Sequence, residues 1–496
     1  MTDPDENMRT AAEGRVYRSA ALAVAIAWSM RLIGLVSVFV LARTLTPADF
    51  GIVALAMATL AIVDVFSALG LRQALLRKKD PDRSYYDTVW TIQLLVLACL
   101  AVIVVALGPV VAWIYDEPAL IWVIAILATR FLFYGLANIG TIDFERNLEF
   151  GRDLKMRLSV RLITFFATIA AALILRNHWA LVLGAVLQGV LYCGASYVFH
   201  PFRPRFSLAR RAEMLGVSVW MFLASAAQTV QTEIERFVVG RIGSLDIVGF
   251  YSVSKDLSSI FTQEIATALN RVTFVTTAKT GMRLGDAPAR LQSMLGAYAL
   301  IAAPLGVGLA ATSEDAVAVL LGAQWAKAAP FLEFIAPAAA FYAVFKLVVS
   351  SLQASGKAKL AALLAIGSAA IATIAIGVIV SSGGSPLDMA AAVLLAMGAV
   401  LFVALCILAR EEEIGAAKLL LAAGRPFLAA MIMYLVVTGT FSGAGPSIVS
   451  LTSNVALGAV SYLVSVCALW IIGGRPDGAE ANANAILAAG WSRIRA

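Results

Sequence analysis

Val89-Trp-Thr-Ile-Gln-Leu-Leu-Val-Leu-Ala-Cys-Leu-Ala-Val-Ile-Val-Val-Ala-Leu-Gly-Pro-Val-Val-Ala-Trp113 carries no charge over 25 residues. At about 1.5 Å per residue a helix of that length outspans a hydrocarbon core about 30 Å thick. In lipid every backbone polar group must be paired within the protein, so only helices or closed barrels cross. This run is too long and continuous for a barrel strand. Just upstream, Arg72, Arg77, Lys78, Lys79 and Arg83 crowd one short connection. Working outward, similar apolar runs fall at 19–43, 50–70, 119–139, 158–175, 179–199, 213–238, 247–269, 291–311, 330–353, 360–381, 388–409, 426–443 and 452–472. With 89–113 they make about fourteen. The expectation is an all-α, polytopic membrane protein. The bulk composition agrees, at 61% hydrophobic and 14% charged with a mean hydropathy of +0.87.

The connections set an orientation. Assigned alternately to two faces, they leave four basic residues on one side, Arg43, Arg176, Arg241 and Lys327. Nearly all the other basic residues lie on the face of the N-terminus, among them Arg146, Arg152, Lys155 and Arg157, then Arg203, Arg205, Arg210 and Arg211. Short cytoplasmic loops hold such an excess, so both termini are expected inside. The net charge of +7 then reports topology and attraction to anionic headgroups, and no nucleic-acid partner is required. Cys99, Cys193, Cys406 and Cys467 all fall inside spans, without metal-like spacing. They read as packing residues, with no disulfide, metal or cofactor expected. The first run is about 25 residues with no small-residue cleavage signature, so it is read as a retained helix.

Segments outside the membrane are short. The stretch from Thr312 to Pro330 is expected to hold a short helix around Ala316–Leu321, and the tail from Ala479 to Ala496 reads as a helix on the inner leaflet. An internal repeat is also visible. Arg43-Thr-Leu-Thr-Pro-Ala-Asp-Phe-Gly51 and Arg241-Ile-Gly-Ser-Leu-Asp-Ile-Val-Gly249 match in Arg, a capping Thr46 or Ser244, and Gly, at an offset of 198 residues. That offset covers six helices, an even number, so the copies run the same way and imply two parallel halves. The expected organisation is an N-terminal arm at 1–18, a first lobe of six helices at 19–211, and a second at 212–409. Two extra helices at 410–472 and a tail at 473–496 complete it.

Four segments together resemble one family. They are Leu41-Ala-Arg-Thr-Leu-Thr-Pro-Ala-Asp-Phe-Gly51, Phe66-Ser-Ala-Leu-Gly-Leu-Arg-Gln-Ala-Leu-Leu-Arg-Lys-Lys79, Val239-Gly-Arg-Ile-Gly243 with Gly249-Phe-Tyr251, and Leu321-Gly-Ala-Gln-Trp-Ala-Lys-Ala-Ala-Pro-Phe-Leu332. The chain resembles the Wzx-like lipid-linked oligosaccharide flippases of the multidrug/oligosaccharidyl-lipid/polysaccharide exporter superfamily. Its branch is the one with colanic acid and succinoglycan exporters. From about residue 360 the match is in hydropathy alone. The resemblance implies a two-lobed, alternating-access transporter in a bacterial inner membrane. It would move an undecaprenyl-diphosphate-linked oligosaccharide from the cytoplasmic to the periplasmic leaflet for exopolysaccharide or O-antigen assembly. A polysaccharide polymerase and a chain-length regulator are the implied partners.

Ionisable groups inside spans cost roughly 2.5–3.5 kcal/mol each on insertion scales and face a partner or a wet cavity. Arg31, Arg130, Lys255 and Lys346 are therefore candidates to line a cationic cavity, since a diphosphate needs desolvated donors and Arg offers a planar fork. An ion pair between Arg31 and Asp64 is the structural alternative. Gln228, Gln231 or Thr232, and Glu235 share one face of the seventh run, while Ser252, Asp256, Ser259 and Gln263 share one of the eighth. Arg236 joins the substrate candidates, although Glu233 three residues earlier also suits an intrahelical pair. Asp64, Asp256 and Glu264 are the candidates for ion coupling, because low dielectric raises a carboxyl toward neutrality. Two other classes compete with the flippase: a cation-coupled small-molecule exporter of the same superfamily, and a membrane-embedded ligase or polymerase. Four intramembrane cations disfavour the first, and an outer segment no longer than about 18 residues disfavours the second.

Overall fold

Thr46-Pro-Ala-Asp49 shows how this chain starts its helices. The Thr46 hydroxyl accepts from the Asp49 amide at 3.3 Å, and the Asp49 carboxylate returns the bond to the Thr46 amide at 3.0 Å. Proline follows at the first helical position, where its missing N–H costs nothing. Ser385, Pro386 and Asp388 repeat the same device. In the second copy of the repeat, Ser244 accepts from the Ile247 amide at 3.5 Å.

In the computed structural model the described residues run from 29 to 475, apart from 31, 68–69, 79, 148, 215–218, 261, 263–286 and 441–444. Among them there is no strand. The helices are α1 (Leu32–Thr44), α2 (Pro47–Asp64), α3 (Leu71–Arg77), α4 (Arg83–Tyr115), α5 (Ala119–Leu136), α6 (Ile142–Arg146), α7 (Phe150–Leu175), α8 (Trp179–Phe199), α9 (Arg211–Met214), α10 (Val219–Ile242) and α11 (245–260). There follow α12 (Ala287–Ala311), α13 (Ser313–Leu320), α14 (Ala329–Ala354), α15 (Ala358–Ser381), α16 (Pro386–Glu411), α17 (Ala416–Thr440) and α18 (Ile448–Ile472).

Eleven described helices are long and apolar enough to cross a membrane. The three other expected spans, 19–43, 213–238 and 247–269, are represented by α1, α10 and α11, which are helical where described. The expected short helix after Thr312 is α13. The N-terminal arm and the tail helix lie outside the described residues.

Two helix boundaries differ from those expected. The expected fifth span starts at 158, yet α7 begins at Phe150, because Arg152, Lys155 and Arg157 are good helix formers and the exposed Arg152 and Lys155 snorkel from its first turns. Likewise α17 starts at Ala416 and carries Pro426 inside it.

The chain divides into two compact units, Met1–Gly249 and Phe250–Ala496. In the first, α4 packs on α5, α7 on α8, and α5 bridges α2 and α8. Lipid provides no hydrophobic drive between helices, so close approach through small residues does much of the work. A Cβ on Gly184 of α8 would sit 2.2 Å from Thr168 Oγ1 of α7. Leu71, Leu75, Tyr85, Tyr86, Val89, Trp90 and Ile142 form a core under the basic loops. In the second unit α12 packs against α14 and α17, and α14 against α16. Gly306 lies so close to α14 that an added Cβ would meet the Ala336 carbonyl oxygen at 2.6 Å. Trp113, Ile174, Val198, Leu395 and Ile472 remain exposed, as apolar side chains facing lipid do.

Candidate functional site

α2, α4, α5, α7 and α8 enclose two adjoining cavities in the first unit, of about 440 and 410 Å³. Ser67, Gln93, Leu97 and Tyr134 line both. They lie toward the helix ends that carry the basic connections.

Arg130, on α5, enters the larger cavity together with Asp64, the last residue of α2. Its Nη1 donates to the sulfur of Met57 at 3.1 Å, and its guanidinium lies 5.9 Å from the centre of the Tyr134 ring. Nε is buried without a hydrogen-bond partner. Among the described residues Arg130 has no ion-pair partner. Asp64 instead accepts from the Ser67 hydroxyl at 2.8 Å, so its carboxylate is engaged by a neutral donor.

Arg72, Arg157 and Arg161 reach the second cavity, with Gln93, Gln188, Asn138 and Tyr192. Arg157 is neutralised by Asp153 one turn earlier at 2.7 Å, and Arg72 by Glu145 at 3.0 Å. Arg161, half-buried on α7, has no carboxylate partner among the described residues. Gly34 of α1 leaves it room, since a Cβ there would stand 2.9 Å from Arg161 Nη2. The joined cavity therefore presents two uncompensated guanidiniums, Arg130 and Arg161, flanked by amides and by the paired rings of Tyr134 and Tyr192, whose centres are 5.4 Å apart. Such a lining suits anionic oxygens for the guanidiniums, with amide and aromatic contacts for an attached polar group.

The structure thus brings Asp64 and Arg130 together. Arg157 falls outside the expected fifth span, 158–175, and so reads as a loop residue, whereas Arg161 falls inside it but close to the basic loop, where a cation passes for a snorkelling one. Their i, i+4 spacing at the head of an apolar run was the available signal. Arg31 and Glu264 lie outside the described residues. On α10, Gln231 and Glu235 are buried and Gln228 half-buried, whereas Arg236 pairs with Glu233 at 2.7 Å. On α11 the expected stripe does not share one environment: Ser252 is buried and Asp256 exposed. The buried polar line is Ser254, Ser258 and Thr262, with the Ser254 hydroxyl donating to the Ala328 carbonyl at 2.9 Å. Lys255 and Lys346 each extend along a tyrosine, their ammonium groups 5.9 Å from the rings of Tyr251 and Tyr342.

At the end of the first unit with the basic connections, the segment 200–210 is strapped along α4. Asp87 accepts from the Arg205 amide at 2.8 Å, Thr91 from the Ser207 amide at 3.0 Å, and Thr88 from the Arg210 amide at 3.3 Å. Glu213 then accepts from Lys78 at 2.6 Å, Tyr85 at 2.5 Å and Arg210 at 3.1 Å. The Lys78 bond, followed by that of Tyr85, holds the Glu213 carboxyl down at about 2, and the same contact raises Lys78. Beside it Asp143 takes Tyr86 and faces His200 Nε2 at 3.4 Å. Burial alone would raise Asp143, but these partners hold it below its ordinary value.

An all-helical, multi-pass membrane protein with a polar cavity inside one unit defines the class, a transporter-type fold. Its likeness to the lipid II flippase MurJ in an inward closed conformation extends over 90% of this chain and 98% of that one, with a TM-score of 0.68 at 15% identity. Residues 40–330 match the family described as polysaccharide biosynthesis protein, and the chain belongs to it. Among relatives, the succinoglycan biosynthesis transport protein ExoT of Rhizobium meliloti (strain 1021) is 24% identical over 441 residues, 87% of this chain and 88% of that one. The lipopolysaccharide biosynthesis protein WzxC of Escherichia coli (strain K12) is 24% identical over 314 residues, 61% of this chain and 62% of that one. These likenesses favour neither the small-molecule exporter nor the ligase reading.

Proposed function

We infer that this protein is a flippase for a lipid-linked, diphosphate-bearing oligosaccharide, working by alternating access and without covalent chemistry. The observation that carries this reading is the pair of uncompensated guanidiniums, Arg130 and Arg161, in the cavity of the first unit. A phosphate headgroup leaving water forfeits its hydration, and bidentate Arg contacts replace it with charge-assisted hydrogen bonds of about 1.5–3 kcal/mol each. Gln93, Gln188, Tyr134 and Tyr192 supply amides and rings for sugar hydroxyls and faces. The lipid tail needs no protein cavity, because it stays in the bilayer.

The charge asymmetry of the connections supports a bacterial inner-membrane protein with both termini cytoplasmic, so the cavity would load from the cytoplasmic side. Two parallel lobes at 19–211 and 212–409, followed by helices at 410–472, remain the organisation we favour. Lys255 and Lys346 are candidates for later contacts along the path, and Asp64, which lines the same cavity as Arg130, is the first candidate for ion coupling. A polymerase acting on the delivered oligosaccharide and its chain-length regulator are the partners this role calls for. The test is complementation. Bacterial strains lacking individual flippases are supplied with this chain and scored for surface polysaccharide. Restoration in one of them supports the reading, and accumulation of the protein in the membrane without restoration in any strain opposes it.

A further inference from the structure

The second unit holds a polar cavity unlike the one above, of about 330 Å³, where α12, α13, α14, α17 and α18 meet. Three of the residues lining it are acidic, Glu314, Asp315 and Glu333, and none is basic. Asp315 is buried. Its Oδ2 accepts from the Ser450 hydroxyl at 2.9 Å and from Asn454 Nδ2 at 2.8 Å. Across the cavity the Tyr434 hydroxyl donates to Glu333 Oε1. The donors to Asp315 and Glu333 are neutral hydroxyls and an amide, and among the described residues no cation pairs with Asp315. A buried carboxylate without an opposite charge is costly, so the site calls for a counter-charge.

A second observation says which. Asn454 is 6% exposed and also lines the cavity, yet its Oδ1 is buried without a donor. The orientation of this amide is fixed by its neighbours. Nδ2 must face Asp315, since the reverse orientation would set two acceptors against each other, and Oδ1 is left as an unfilled acceptor. A carboxylate and an amide oxygen, with hydroxyls around them, are the hard oxygen donors that alkali and alkaline-earth ions take. Asp315 is a single buried carboxylate whose partners are neutral, and one positive charge balances it.

We propose that Asp315, Asn454 and Ser450, with Glu333 alongside, form a binding site for a monovalent cation, Na⁺, at this end of the second unit. The ion ties the first turn of α13 to α18, and through Glu333 and Tyr434 draws in α14 and α17. The proposal goes beyond the flippase reading, since it concerns ion binding by the isolated chain and needs no substrate.

The experiment uses the purified full chain in detergent, with NaCl exchanged against choline chloride at constant ionic strength. Unfolding temperature and equilibrium binding of radiolabelled Na⁺ are both read. Ligation to the folded state alone raises the unfolding temperature saturably with ligand. The wild type is expected to show such a rise with Na⁺ and to bind one ion per chain. Asp315→Asn and Asn454→Leu should lose both, and the milder Ser450→Ala and Glu333→Gln should weaken binding about tenfold, the loss of one ligand-side interaction of about 1.4 kcal/mol. Equal responses to Na⁺ and choline overturn the proposal, and point to a proton on Asp315 instead. A stronger response to Ca²⁺ than to Na⁺, or undiminished Na⁺ binding in Ser450→Ala and Glu333→Gln, overturns it as well.

Discussion

Gly51 and Gly249, related by the 198-residue offset of the internal repeat, make the same contact in exchange. A Cβ on Gly51 would lie 2.0 Å from the Leu245 carbonyl oxygen, and a Cβ on Gly249 would lie 2.0 Å from that of Pro47. Pro47 and Leu245 carry the same offset, so each copy of the motif offers a glycine to the other's first-turn carbonyl. Such reciprocity is what a self-complementary contact between two copies of one motif requires. The obstacle is backbone in both cases, so neither clash can be relieved by a rotamer change.

Gly51→Ala and Gly249→Ala should therefore each destabilise the protein, by roughly 1–3 kcal/mol as overpacking does. Because either substitution opens the same crossing, the double variant should lose less than the sum of the two. Unfolding temperatures of the four purified proteins check this. Neutral single substitutions, or strictly additive ones, would remove the shared contact from the account.

How far the sequence reached can be judged from particular residues. Uncharged runs such as 89–113 had to become helices, because lipid permits little else, and Thr46 and Ser244 were recognisable as caps from their chemistry. α10 was harder: Glu233, Glu235, Arg236 and Arg241 dilute its apolar character, and it falls outside the eleven clear spans. Arg130 stood out as a charge in mid-run. Arg161 did not, because a cation near a basic loop looks like a snorkelling one, and only the packing of α1 and α7 shows it turned into the protein. The Asp315–Asn454 pair was illegible, being 139 residues apart and made by tertiary contact alone.

Topology follows from the basic connections. Reporter fusions at Asp80 and Lys357 should be active as cytoplasmic markers, and fusions at Asp116 and Ser385 as periplasmic ones. A periplasmic signal at Asp80 would reverse the orientation and close the cavity of Arg130 to a cytoplasmic substrate.

The strap along α4 makes a pH prediction. Glu213 has a depressed folded value of about 2, so its contribution is complete above its unfolded value and is lost as pH falls through that lower one. Lys78 is raised, so its share is complete below its ordinary value and is lost only in strong alkali. Glu213→Gln should therefore lower the unfolding temperature by a constant amount through neutral pH, with the gap to wild type narrowing below about pH 4. A gap that changes between pH 6 and 8 would show that a group other than Glu213 and Lys78 governs this end of the protein.

Arg130 and Arg161 provide the most direct test of the site. Each lacks an ion pair among the described residues, so neither is holding the fold together through a carboxylate, and Ala at either position should leave the protein in the membrane. Export should nevertheless fall by about 10- to 100-fold, the equivalent of one lost charge-assisted hydrogen-bond set of about 1.5–3 kcal/mol. Lys should rescue only part of this, because a point charge cannot reproduce two parallel contacts to one phosphate. Arg72 is the internal control. Its charge is already met by Glu145, so Arg72→Ala should cost much less export. The measurement is surface polysaccharide in a complemented flippase-deficient strain, normalised to membrane-inserted protein. If Arg72→Ala proves as damaging as Arg161→Ala, the cavity works by its summed positive potential, and the guanidiniums of Arg130 and Arg161 have no special part in holding the headgroup.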